Sequence, residues 1–230
     1  PPVRGMQAAA GGPPILPKGL SHPLRSYVVL GARTTAFGAP SRGVDGIETP
    51  LIGRDEELAR LIAACEAVVE QKSLSLVTVV GDAGIGKTRL MSELQRWIEG
   101  RPEAVQLFHG RAQPSSASVP YGLLRALLGE RFAILDDDIQ AVAHARLAGG
   151  IGPLFGDRSE EQIALIGQLI GLDESASPHI AGIAGDGKQL RDRAFHALTQ
   201  YFRLLVRDRN ARVVVLLDDL HWADDGSIDF

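Results

Sequence analysis

One cysteine in 230 residues, Cys65, leaves this chain no internal disulfide and suits a reducing cytosol. It falls on the apolar side of a predicted helix, where a thiol packs as a small hydrophobe. Long apolar runs are missing too. The longest, Leu76 to Val80 and Val213 to Leu217, have strand length and fall far short of the roughly 18 residues of a membrane span, so no membrane segment is expected. Charge is balanced, with 24 basic against 28 acidic residues and a formal net charge of −4. Without a basic run or patch, direct contact with nucleic acid is not expected. The histidines at 22, 109, 144, 179, 196 and 221 show no ligand spacing, which argues against a zinc site. The opening Pro-Gly-Ala stretch lacks the basic start and apolar core of a signal peptide, so the expected setting is the cytoplasm and the expected origin an internal piece of a longer chain.

The hydrophobic fraction of 45% is enough for a sizeable core. Residues 1–24 carry six prolines among glycines and alanines and are read as disordered or linker. Tyr27 to Ala32 is strand-like, and residues 33–49 are rich in Gly, Pro, Ser and Thr, so 25–49 reads as the tail of an upstream domain plus a linker. A folded domain is expected over 50–230. From Asp55, the apolar residues Leu58, Leu61, Ile62, Cys65, Val68 and Val69 recur at helical steps. Ser75 to Val80 predicts a buried strand, Leu90 to Ile98 a second amphipathic helix closed by Gly100, and Val105 to His109 a further strand. Four helices are expected near 121–128, 139–147, 160–170 and 188–207, punctuated by Pro153 and Gly156, before a last buried strand at 212–217.

The chemistry concentrates at two places. Gly81-Asp82-Ala83-Gly84-Ile85-Gly86-Lys87-Thr88 lies between a predicted strand and a predicted helix, the context a phosphate-binding P-loop requires. Its glycines let successive N–H groups turn toward phosphate oxygens while the following helix aims its positive end at the same point. Lys87 would reach the β- and γ-phosphates, Thr88 would offer its hydroxyl to Mg²⁺, and Arg89 borders the loop; Asp82 and Ala83 shape it. The second place is Asp218-Asp219, delivered by the apolar strand to the carboxyl end of a parallel sheet, where such folds bind ligands. Asp218 would hold Mg²⁺, and Asp219 would orient or deprotonate the attacking water. Asp224 and Asp225 offer metal or polar contacts, while Asp225-Gly226-Ser227 also reads as a helix cap. Trp222 is expected to fill a pocket beside a hydrogen-bonded His221.

Four separated motifs, Leu51-Ile52-Gly53-Arg54-Asp55-Glu56-Glu57-Leu58, the P-loop, Pro120-Tyr121-Gly122-Leu123-Leu124, and Leu216 to Asp225, together resemble the AAA-type ATPase module of bacterial STAND signalling ATPases. The resemblance implies an α/β P-loop NTPase of the ASCE type, a parallel sheet with inserted helices. It implies ATP or ADP as ligand, self-association in the parent, and a nucleotide-facing role for Gly53 and Arg54. It further implies that a strand later in the parent separates the P-loop strand from the acidic one, so that 50–230 is an incomplete domain with exposed strand edges. The stretches Tyr27 to Arg33 and Arg42 to Pro50 resemble the junction between a class III adenylate or guanylate cyclase and such a module. Three functions stay open: a Mg-dependent ATP-hydrolysing switch, a non-hydrolysing ADP/ATP-binding regulatory module linked to a cyclase or transcription regulator, and a scaffold between domains. No arginine finger is assigned.

Overall fold

A computed structural model describes residues 6–8, 29–32, 51–71, 74–101, 105–115, 117–208 and 212–230. The chain divides into two units, residues 1–42 and 43–230. In the first, strand β1 (Met6–Ala8) pairs antiparallel with β2 (Val29–Ala32). β2 falls where a strand was read. β1 falls in a stretch for which no structure was expected; the remainder of 1–24, and the linker at 33–49, lie outside the described residues.

The second unit begins with α1 (Asp55–Gln71), whose first turn holds Asp55, Glu56 and Glu57 at the positive end of the helix. α2 (Lys87–Glu99) follows the glycine-rich loop and stops at Gly100. β3 (Val105–Arg111) and β4 (Arg212–Asp218) pair in parallel, in register from Val105 opposite Arg212 to Arg111 opposite Asp218. Between them run α3 (Gly122–Phe132), α4 (Gln140–Phe155), α5 (Ser159–Leu169), the short α6 (Pro178–Ala181) and α7 (Gly187–Asp208). α4 does not stop where its apolar periodicity fades but carries Pro153 inside its last turn. After β4, a 3₁₀ turn at Leu220–Trp222 leads to α8 (Asp225–Ile228).

Strand alternation divides the apolar residues between two cores. Phe108 and Val213 face the larger, built from α3, α4, α5 and α7 around Leu128, Leu147, Ile166, Leu198 and Tyr201. Phe108 is fully buried, with edge-to-face contacts to Tyr201 and Phe202 at 6.2 and 5.1 Å between ring centroids. Val105, Leu107, Val214 and Leu216 face the smaller, made with Leu61 of α1 and Leu90, Leu94 and Ile98 of α2. Cys65 belongs to this second cluster, and burial pushes its thiol up, as a packed rather than reactive cysteine requires.

One expected element differs. The segment Leu74–Val80 does not join the β3–β4 pair and, among the described residues, has no strand partner. Its apolar side chains are open to solvent, Leu76 at 91% and Val80 at 88% exposure, so the expectation of a buried strand is corrected. A β-branched run needs a hydrogen-bonded neighbour on the sheet to become a strand, and among the described residues none lies beside this one. No helix among the described residues is long and apolar enough to cross a membrane.

Candidate functional site

The glycine-rich turn reaches α2 through two residues in the left-handed region, Gly84 at φ 81° and Gly86 at φ 98°. A side chain at either position would be strained, so the sequence needs glycine here. Gly86 is also the residue from which α2 starts: its carbonyl accepts from the N–H of Leu90 at 2.9 Å. The free N–H groups of the first helical turn therefore face the loop. Lys87 folds back over it, its Nζ donating to the carbonyls of Gly81 at 2.8 Å and Asp82 at 2.9 Å. The Asp82 carbonyl also accepts from Ile85 at 3.4 Å, closing the turn around Ala83. Arg89 ion-pairs with Glu93 one turn along α2.

The amino-terminal motif joins the loop from the other side. Gly53 takes φ 70°, and Arg54 donates to the Ile85 carbonyl at 3.4 Å and to Glu57 at 2.7 Å. The Arg54 guanidinium holds the Glu57 carboxyl below its ordinary range.

The two predicted halves of the site meet at one hydrogen bond. The Thr88 hydroxyl donates to Asp218 Oδ2 at 3.1 Å, between residues 130 positions apart. Asp218 is 5% exposed, and its other carboxylate oxygen accepts from the N–H of Asp219 at 3.0 Å. A hydroxyl and a carboxylate form a hard-oxygen pair of the kind that suits Mg²⁺, which takes one or two protein ligands and completes its shell with phosphate and water. Among the described residues, no group of three or more His, Cys, Asp or Glu could hold a metal without such help.

Asp219 stands in the left-handed region at φ 56°. Its carboxylate meets a partner that the sequence reading did not single out: Arg111 donates to Asp219 Oδ2 through Nε at 2.9 Å and through Nη2 at 2.8 Å. Arg111 Nε also lies 3.9 Å from Asp218 Oδ2. The expected strand ended at His109, and Arg111 reaches the ligand-facing end of the parallel pair through its register with Asp218.

The loop after Asp219 settles two other expectations. Asp224, 7% exposed, caps α8, accepting from the N–H of Ser227 at 2.9 Å and from its hydroxyl at 2.7 Å. It also accepts from Tyr121 N–H at 2.8 Å and Leu123 N–H at 3.2 Å, which ties the Pro120 to Leu124 motif to the acidic one. Burial opposes ionisation of Asp224, but the bonds from the Ser227 hydroxyl and from the N–H groups of Leu123, Ser227 and Tyr121 together hold its carboxyl below the usual range. Trp222 does not fill a pocket. It is 41% exposed and lies against the His221 ring at 5.0 Å, because the 3₁₀ turn projects both rings outward.

Residues 50–230 match the AAA ATPase domain family. The chain is similar, at 28% identity over 190 residues, to an uncharacterized protein of Rhizobium meliloti (strain 1021), covering 78% of this chain and 16% of that relative. It thus spans about a sixth of the curated relative that it matches. No solved structure matches it.

Proposed function

The chain belongs to the AAA ATPase domain family, whose members bind and hydrolyse nucleotide, and we propose that residues 50–230 are the Mg-dependent ATP site of a signalling switch. The observation that carries this reading is the Thr88–Asp218 hydrogen bond, which sets a helix-borne hydroxyl against a buried carboxylate beside the P-loop. In this reading the loop N–H groups and Lys87 hold the phosphates; Lys87 exchanges its two carbonyl partners for phosphate oxygens. Thr88 and Asp218 are the residues that would hold magnesium, which would supply positive charge against the charge that develops on the phosphates. Asp219 positions the attacking water and accepts its proton. Arg54, anchored on the Ile85 carbonyl, closes the nucleotide side of the loop. Turnover of ATP by the intact protein, with and without magnesium, tests the reading; hydrolysis that ignores magnesium would overturn it.

A second reading rests on Arg111. Its two donors both fall on Asp219 Oδ2, and a carboxylate held by a guanidinium is a weaker base toward water, which would suit a module that keeps nucleotide bound with little turnover. Calorimetry showing tight ADP binding without phosphate release would favour it over the switch.

The exposed segment Leu74–Val80 fits a further part of the proposal, that a strand from elsewhere in a longer parent lies between it and β4 and completes the sheet. The match to about a sixth of a much longer relative agrees with such a parent. An upstream cyclase and self-association belong to the same proposal and rest on the motif resemblance; a cytoplasmic setting belongs to it too and rests on the single cysteine and the opening stretch.

A further inference from the structure

α3 has no cap of its own. Its N-cap residue, Tyr121, is an aromatic residue at φ 58° that makes no side-chain cap hydrogen bond. A left-handed conformation is unfavourable for a non-glycine residue, so the surroundings must hold it. They do so from a distance of about a hundred residues. Asp224 accepts from the N–H groups of Tyr121 and Leu123, and Ser227 Oγ accepts from that of Leu124 at 3.2 Å. Three first-turn donors of α3 thus end on the loop that leaves β4. Gly226 presses against the Tyr121 ring so closely that a Cβ there would lie 2.8 Å from Cε1. The other edge of that ring meets Phe195 of α7 at 5.9 Å.

The spacer between this latch and the acidic pair is one turn long. Trp222 N–H donates to the Asp219 carbonyl at 2.9 Å and Ala223 N–H to that of Leu220 at 3.0 Å, so Asp219 and Asp224 are joined by a hydrogen-bonded turn with no slack. At its near end Asp219 is fixed by its own N–H on Asp218 and by Arg111. The far end is fixed through Asp224, Gly226 and Ser227, and beyond α8 by Phe230 against Phe195 at 5.2 Å.

We propose that Asp224 is a positioning residue for Asp219: by capping α3 and α8 at once it sets the turn that aims the Asp219 carboxylate, and through α3 it ties that aim to the helices between β3 and β4. The proposal rests on the reading of Asp219 as the water-positioning group. It gives the Pro120 to Leu124 motif a task, which is to supply the N–H groups on which the acidic loop is hung.

The test is a double-mutant cycle in the intact protein. Asp224→Asn, Gly226→Ala and the milder Ser227→Ala are each made alone and with Asp219→Asn, and kcat, nucleotide affinity and amide hydrogen exchange at Tyr121, Leu123 and Leu124 are measured. The expectation is faster exchange at those amides, nucleotide affinity within about twofold, and a fall in kcat of about tenfold that disappears when Asp219 is already Asn. An equal fall in both backgrounds, or unchanged kcat with exchange accelerated, overturns the positioning role. Failure of the Asp219 reading shows separately, as an Asp219→Asn protein that turns over normally. Should Asp224→Asn not fold, Ser227→Ala decides by the same criteria.

Discussion

Arg111 and Asp218 are register partners at the carboxyl ends of β3 and β4, and this pairing carries the Arg111 guanidinium onto Asp219, one residue further on. The contact is two-pronged, and an ammonium on a flexible stem does not reproduce it. Arg111→Ala is therefore expected to lower ATP turnover about tenfold with little change in nucleotide affinity, and Arg111→Lys to recover only part of the loss. Steady-state kinetics on both variants checks this. A gain in turnover from Arg111→Ala would mean that the arginine restrains Asp219 and would favour the binding-module reading.

Thr88→Ala and Asp218→Asn should act on the same property. Thr88→Ala removes the hydroxyl and Asp218→Asn the carboxylate charge from the pair held at 3.1 Å, so each should weaken Mg-ATP binding by about tenfold while leaving metal-free binding nearly unchanged. Isothermal titration with magnesium and with a chelator measures both terms. Equal losses in the two conditions would show that the pair serves the fold and not the metal.

Much of this was legible from residues alone. Glycines that must take positive φ, a Lys-Thr at a helix start and a carboxylate ending an apolar strand are local signals, and Gly84, Gly86, Lys87, Thr88 and Asp218 lie together as that pattern requires. Arg111 was hidden because its importance comes from β3–β4 register, a relation between positions more than a hundred apart. The cap was expected at Asp225-Gly226-Ser227, but Asp225 already lies inside α8 and Asp224 makes the cap; its second helix, α3, is distant in sequence. The segment Leu74–Val80 has strand composition, yet composition cannot supply a hydrogen-bonded neighbour, and Trp222 is apolar in type but sits on a turn that faces outward.

The open apolar run Leu74–Val80 predicts association. A segment with unpaired backbone groups and side chains as exposed as Leu76 and Val80 is a template for another strand. The 230-residue chain alone should self-associate at micromolar concentration, and Leu76→Lys with Val80→Lys should reduce this, as read by light scattering. A monomer with a cooperative, high-temperature melt would contradict the account of an unfilled sheet.

Asp224 makes stability depend on acid. Its folded carboxyl titrates below the ordinary value of about 3.9, so its contribution is fully present at neutral pH and is lost as pH falls through the folded value. The stability gap between the unsubstituted protein and Asp224→Asn, roughly 1–3 kcal/mol at neutral pH for a buried, multiply bonded carboxylate, should begin to shrink below about pH 4. Denaturant melts across pH 3–7 measure the gap; one that is constant with pH would show that the cap does not depend on the charge.

If the P-loop and the Asp218–Asp219 pair form one ATP-hydrolysing site, ATP hydrolysis by the intact protein must respond differently to Lys87→Ala and to Asp219→Asn. Lys87→Ala is expected to lose nucleotide binding by at least about tenfold, while Asp219→Asn binds Mg-ATP within about twofold of normal but hydrolyses it about a hundredfold more slowly. Hydrolysis by Asp219→Asn at the unsubstituted rate would contradict the single site.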